Sequence, residues 1–265
     1  MRALVFSASG AFGAYHAGAC QALEEARFRP EILVGGSIGS ITAAAVARGA
    51  SARRVQDLWR DPASNVFRGN FLLGDWSRDL TALIEQVNRE FPHSASAARL
   101  RVPITRIPST RIEVRDNAEV TPQVLLASCS IPFLFRTVPL DGHWYVDGGI
   151  FHRLAVALAV QAGATDIITV DPLARPPSRV LRLGLHALTA IRSRLISGPD
   201  LSSPAPETPL AIEPARPLGA VIDLIRWDRA RVDRHIDLGY RDALRAIAAR
   251  PRQMAAPIAE SAAPQ

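Results

Sequence analysis

The sequence contains no lysine: all 31 basic residues are arginine. That excludes Schiff-base chemistry, a Walker-A lysine and every Ser–Lys dyad at once. Cysteine is almost as scarce. Cys20 and Cys129 are the only two, too few for a disulfide framework, a CxxC redox pair or a cysteine zinc site. Aromatic residues make up 6% of the chain. No basic run is interleaved with them, so no nucleic-acid partner is expected. No stretch of ~18 uncharged apolar residues occurs, so no transmembrane helix is expected. Arg2 leads straight into Ala3-Leu4-Val5-Phe6, without the long apolar region and cleavage site of a signal peptide, and the chain reads as cytoplasmic.

What remains is an ordinary globular composition. The 265 residues are 48% hydrophobic and 21% charged, and a chain of this length buries roughly 70–75% of its unfolded surface without staples. The net charge of +6 is spread along the whole chain and reads as solvated surface.

The opening pattern is strand, small-residue turn, helix, repeated. Residues 3–7 are a short apolar run that enters Ala8-Ser9-Gly10, and a helical pattern follows from Gly13 to Phe28. Pro30 separates this from Ile32-Leu33-Val34, then Gly35-Gly36-Ser37-Ile38-Gly39, then an alanine-rich helix from Ser40 to Arg48 closed by Gly49. Such a series opens a parallel α/β sheet. Residues 51–92 read as mainly helical with Ser51 as an N-cap, and 102–115 as strands with a turn at Asp116-Asn117. Thr121-Pro122 opens a short helix, 133–146 are extended, 154–162 are helical, and 167–170 form a buried strand. Nine prolines fall between 172 and 217, which predicts a loop-rich insertion around one helix at 179–197. A last helix covers about 228–249. The expectation is one domain over 1–249, with the insertion at about 172–217 and a disordered tail at 250–265.

The chemistry concentrates at two points. In Gly35-Gly36-Ser37-Ile38-Gly39 the glycines permit a sharp, strained turn that lifts a serine hydroxyl above the sheet edge. Behind it, a helix N-terminus faces any negative charge that develops. The plainer reading is a glycine turn with an incidental serine, or a phosphate-binding turn. A serine nucleophile needs a base. The histidines are His16, His93, His143, His152, His186 and His235. The order Ser37, Asp147, His235 formally fits a triad, but only one strand precedes Ser37, which argues against that fold. Asp147, in Tyr145-Val146-Asp147-Gly148-Gly149, stands at a strand end before two glycines, where a carboxylate could act as base. An Asp-Gly turn is the bland alternative. Dinucleotide binding fails on residues, because Gly10 and Gly13 do not complete G-x-G-x-x-G and no acid ends the second strand.

Together these elements resemble the patatin-like phospholipases, a family of Ser–Asp lipid acyl hydrolases. The resemblance runs through about 2–172 and, more faintly, near Leu238–Ala243. It rests on Gly13-Ala14-Tyr15-His16-Ala17-Gly18, on the Gly35–Gly39 motif, on Ala127-Ser128-Cys129-Ser130-Ile131-Pro132, and on Asp141-Gly142 with Tyr145–Gly149. It implies an α/β/α sandwich of three layers with a mainly parallel central sheet. By it, Ser37 is the nucleophile in an elbow with Gly35, Gly36 and Gly39, and Asp147 is the base. Backbone amides at Gly10, Ala11, Phe12 and Gly13 form the oxyanion hole, and neither metal nor cofactor is needed. The expected substrate is a lipid or other fatty-acyl ester, cleaved through an acyl-enzyme. Two departures stand out. The family's G-G-G-x-R-G loop is here Ala8-Ser9-Gly10-Ala11-Phe12-Gly13, which places Phe12 where the family has arginine and suggests an apolar wall beside the site. After Asp147, where the family often has Asn and Pro, stand His152, Arg153 and Ala155. The altered loop also suits a second reading, a non-catalytic lipid- or acyl-binding protein on the same scaffold. The helix at 179–197 carries leucines on one arc and Arg179, Arg182 and Arg194 opposite, which suits peripheral contact with an anionic membrane surface or packing on the sheet.

Overall fold

The computed structural model describes residues 1–61, 76–92, 98–132, 134–149, 153–179, 181–184 and 209–250. Its strands are β1 (Arg2–Phe6), β2 (Ile32–Gly35), β3 (Arg99–Ile107), β4 (Arg111–Asp116), β5 (Val138–Leu140), β6 (His143–Asp147), β7 (Asp166–Val170) and β8 (Leu210–Ile212). They form one sheet in the order β5-β6-β3-β2-β1-β7-β8, with β4 paired to β3. The pairs β1·β2, β1·β7, β2·β3 and β7·β8 are parallel, whereas β4 and β6 run antiparallel to β3, and β5 to β6. The centre is thus parallel and one flank antiparallel.

β1 and β2 are continuous apolar runs because both of their faces are covered. Alternate residues Ala3, Val5, Ile32 and Val34 pack with Leu158 and Ala159 of α6 (Val156–Gln161). Leu4, Phe6 and Leu33 face the larger core on the other side. That core is built by α1 (Ala14–Glu25), α2 (Ile38–Ala47), α3 (Ala52–Arg60), α4 (Trp76–Glu90), α5 (Pro122–Cys129) and α7 (Arg229–Ala249). Helices on both faces of the sheet make the expected α/β/α layering.

The helix signals read from sequence act as they should. Ser51 accepts a hydrogen bond from Arg54 N at 3.4 Å, and Thr121 from Val124 N at 3.3 Å ahead of Pro122; Asp228, not read as a cap from the sequence, accepts from Arg231 N at 2.9 Å. Each satisfies one amide that the first helical turn leaves open. α1 and α7 press backbone against backbone. A Cβ on Gly18 would stand 1.8 Å from the Ile236 carbonyl oxygen, and one on Gly239 would stand 2.1 Å from that of Tyr15. The Tyr15 hydroxyl then donates to Asp242 across the same seam at 2.9 Å.

The β3–β4 reversal lies at 108–110, where Pro108 lacks the N–H to continue the ladder. Asp116 ends β4 and Asn117 starts a 3-10 turn, where a turn was expected. One expectation needs adjustment. β8 was hidden among prolines, yet it pairs with β7 from Ile168↔Leu210 to Val170↔Ile212, so the far end of the proline-rich stretch belongs to the sheet. Of the helix expected at 179–197, residues 179 and 181–184 are helical and Ser178 caps it by accepting from Leu181 N at 3.0 Å; the remainder lies outside the described residues. The expected tail lies outside them beyond Arg250, as does the middle of the stretch expected to be helical at 51–92.

Candidate active site

Ser37 sits between β2 and α2 with φ +52° and ψ −134°, a region that L-residues avoid unless their surroundings impose it. The surroundings here are backbone. A Cβ on Gly35 would lie 2.4 Å from the Gly39 carbonyl oxygen, and one on Gly39 would lie 2.7 Å from the carbonyls of both Phe6 and Ser7. Only glycine lets the turn fold this tightly and dock on the end of β1. The Ser40 hydroxyl donates to the Ser37 carbonyl at 2.6 Å, which secures the first turn of α2. Ser37 itself is 5% exposed, at the junction of strand and helix.

Asp147 closes β6 and is 1% exposed. β6 pairs with β3, which pairs with β2, and this chain of neighbours carries Asp147 to the elbow. Its amide donates to Ser130 O at 2.9 Å, and its Oδ1 accepts from Gly149 N at 2.6 Å. The following glycines are required by close approach. A Cβ on Gly148 would meet Pro103 O at 2.4 Å, and one on Gly149 would meet Ala8 Cβ at 2.9 Å.

The loop after β1 is a 3-10 turn, Gly10–Gly13. Its one left-handed residue is Gly10, at φ +54°, while Ser9 has φ −151°. The substitutions at 8 and 9 therefore cost no backbone strain. The Phe12 amide donates to Ser9 O at 3.1 Å, so it is engaged inside the turn. The Phe12 ring is fully buried, edge-on to His235 at a centroid distance of 5.3 Å. It forms part of the seam with α7, not an apolar wall of a cleft. The Leu224 carbonyl lies 2.5 Å from the Cβ position of Gly10, which places the 3-10 turn Val221–Ile225 against this loop.

A buried carboxylate that the sequence reading passed over anchors the loop's other end. Asp171, at the end of β7, accepts from Ser7 Oγ and Leu173 N, both at 3.0 Å, and pairs with Arg153. The Arg153 carbonyl in turn accepts from Ala8 N at 2.9 Å. Arg153 had registered only as a departure from the family pattern. Nothing in a local sequence window pairs Asp171 with Ser7.

Of the described histidines, His16 is buried against Phe6 with neither ring nitrogen bonded, and burial holds its pKa down at about 3. His235 directs Nε2 to Leu218 O at 3.2 Å, and burial lowers its pKa also. His93, His152 and His186 lie outside the described residues. Cys129 is buried beside Ser40, and burial together with the charge of Asp147 pushes its thiol pKa up. Among the described residues no cluster of three or more His, Cys, Asp or Glu side chains is placed to hold a metal ion, and no helix is long and apolar enough to cross a membrane.

VipD of Legionella pneumophila is similar in structure, at a TM-score of 0.54 and 15% identity, over 93% of this chain and 66% of VipD. The type III effector protein ExoU matches at a TM-score of 0.43 and 14% identity, over 93% of this chain and 52% of its own length. The chain thus spans less than two thirds of the length of either. At such identity the VipD match speaks for the fold alone. The sequence itself matches the model of the patatin-like phospholipases over residues 4–160. That span contains the loop after β1, the elbow and Asp147, and the chain belongs to the patatin-like phospholipase family, whose members are lipid acyl hydrolases.

Proposed function

We propose that this chain is a serine acyl hydrolase acting on fatty-acyl esters of lipids through Ser37 and Asp147. The observation that carries the reading is the left-handed backbone of Ser37 in a strand–turn–helix elbow flanked by the buried Asp147. Strain of that kind persists at functional turns, where it presents a reactive group. Ser37 Oγ attacks the ester carbonyl and its proton passes to Asp147. The alcohol then leaves with a proton, and water, deprotonated by Asp147, releases the fatty acid from the acyl-enzyme. Gly10 and Ala11 precede the first bonded amide of the 3-10 turn, and their N–H groups are our choice for the oxyanion donors; the amides of Phe12 and Gly13 lie inside the turn.

Glycine at the loop's one left-handed position, Gly10, supports this reading over that of a non-catalytic lipid- or acyl-binding protein. The test is labelling with a fluorophosphonate probe followed by peptide mapping, with lipid present. Ser37 is the expected adduct, and Ser37→Ala should abolish it. Folded wild-type protein that stays unlabelled would restore the binding reading.

A further inference from the structure

The run Ala127–Pro132 carries part of the family resemblance, yet it supplies no reacting group. Its geometry gives it a task. Ser128, fully buried in the last turn of α5, accepts the Ser37 amide on its Oγ at 3.2 Å. The same Oγ donates to Pro103 O at 3.2 Å. A hydroxyl has one proton, so the donation to Pro103 fixes its lone pairs toward Ser37. Pro103 O is also the atom that borders Gly148, next to Asp147. Two residues beyond Ser128, the Ser130 carbonyl accepts the amide of Asp147 itself at 2.9 Å. One short stretch at the end of α5 therefore holds the main-chain amides of both Ser37 and Asp147.

We propose that Ser128 is a positioning residue that sets Ser37 against Asp147 by holding the strained Ser37 amide; this rests on the dyad reading above. Ser128 touches the backbone of the nucleophile and none of the reacting atoms. Without its oxygen the Ser37 amide loses its acceptor in a dry interior, and the turn relaxes from its left-handed conformation. The Ser37 hydroxyl moves with it. A misplacement of about 1 Å costs on the order of 10²-fold in rate.

The experiment uses the full chain and two readouts, the rate constant for fluorophosphonate labelling and kcat and KM on a neutral ester. Wild type is mapped first. Absence of an adduct at Ser37 would defeat the dyad reading itself, separately from the role of Ser128. With the adduct established, Ser128→Ala should lower labelling and kcat about 10–100-fold while KM stays within about twofold. Ser128→Thr keeps the oxygen and should recover most of the rate, whereas Ser128→Val, its equal in shape, should not. Val124→Ala cuts a cavity in the same helix. It should lower Tm yet keep the wild-type labelling rate in the folded fraction. The proposal is overturned if Ser128→Ala labels at the wild-type rate, if Val124→Ala slows as much, or if Ser128→Val equals Ser128→Thr.

Discussion

Ser37 and Asp147 meet across Gly149: the point where a Cβ would stand on that glycine is 3.1 Å from Ser37 N and 3.0 Å from Asp147 Oδ1. A methyl group there would push Ser37 and Asp147 apart and also strike Ala8. Gly149→Ala should therefore reduce ester turnover by about 10²-fold, because the reacting geometry tolerates little displacement. Far-UV circular dichroism with kcat measurement on the folded variant checks this. Turnover within threefold of wild type would show that the two residues need not be held so closely.

Asp147→Asn keeps the shape of the base and removes its charge. It should lower turnover by ~10²-fold or more. His235→Gln should retain most activity, since its Nε2 is occupied with Leu218 O rather than with the nucleophile. The comparison is kcat/KM for both variants on one neutral ester. A His235→Gln protein as inactive as Ser37→Ala would reopen the triad.

The elbow and the strand-end aspartate were legible in sequence because each is local: glycine spacing, a flanking apolar strand and a following helix sit within one window. What holds them together was not legible. Ser128 reaches Ser37, Asp171 reaches Ser7 and Asp242 reaches Tyr15, all across long chain separations. No periodicity records such pairs. β8 escaped for a different reason: three residues among prolines carry no measurable alternation. Phe12 shows how a correct alignment of loops can still misplace a side chain. It takes the position of the family's arginine but turns into the core against His235.

That burial sets the expected outcome of Phe12→Arg. Charge placed in the core beside His235, whose pKa burial already lowers, should destabilise by roughly 3 kcal/mol or more. Urea denaturation of the two proteins decides it. A stable variant with a raised preference for anionic phospholipid would mean that the side chain faces the cleft after all.

His16 should make the protein acid-sensitive. Its pKa is about 3 when folded against 6.5 when free. Above 6.5 both states are neutral and the group contributes nothing. As pH falls below 6.5 the unfolded chain takes up a proton that the folded chain refuses, so stability drops steadily until about pH 3. Between pH 7 and pH 5 the loss is ~2 kcal/mol. His16→Leu should remove that part of the pH dependence in urea titrations at the two pH values. Parallel losses in wild type and variant would assign the acid sensitivity elsewhere.

Glycines at the α1–α7 seam should respond unlike those on the surface. Gly18→Ala drives a methyl group into the Ile236 carbonyl and should cost ~1–3 kcal/mol or more. Gly184, helical and with nothing within 4 Å of its Cβ position among the described residues, should gain up to about 1 kcal/mol on the same change. Thermal melts of both variants provide the comparison, and equal shifts would remove the close-packing argument.

The contact of Leu224 O with Gly10, and of α7 with α1, joins the last elements of the chain to the first. This has a consequence for how the protein is made. The stretch that matches the family model is synthesised once residue 160 is added, Ser37 and Asp147 with it. The loop after β1 still lacks the turn and helix that press on it from 221 to 249. Closing that sequence-distant contact is slow compared with forming local helices. A nascent chain would thus carry Ser37 and Asp147 for some time before the surroundings of the loop after β1 are in place.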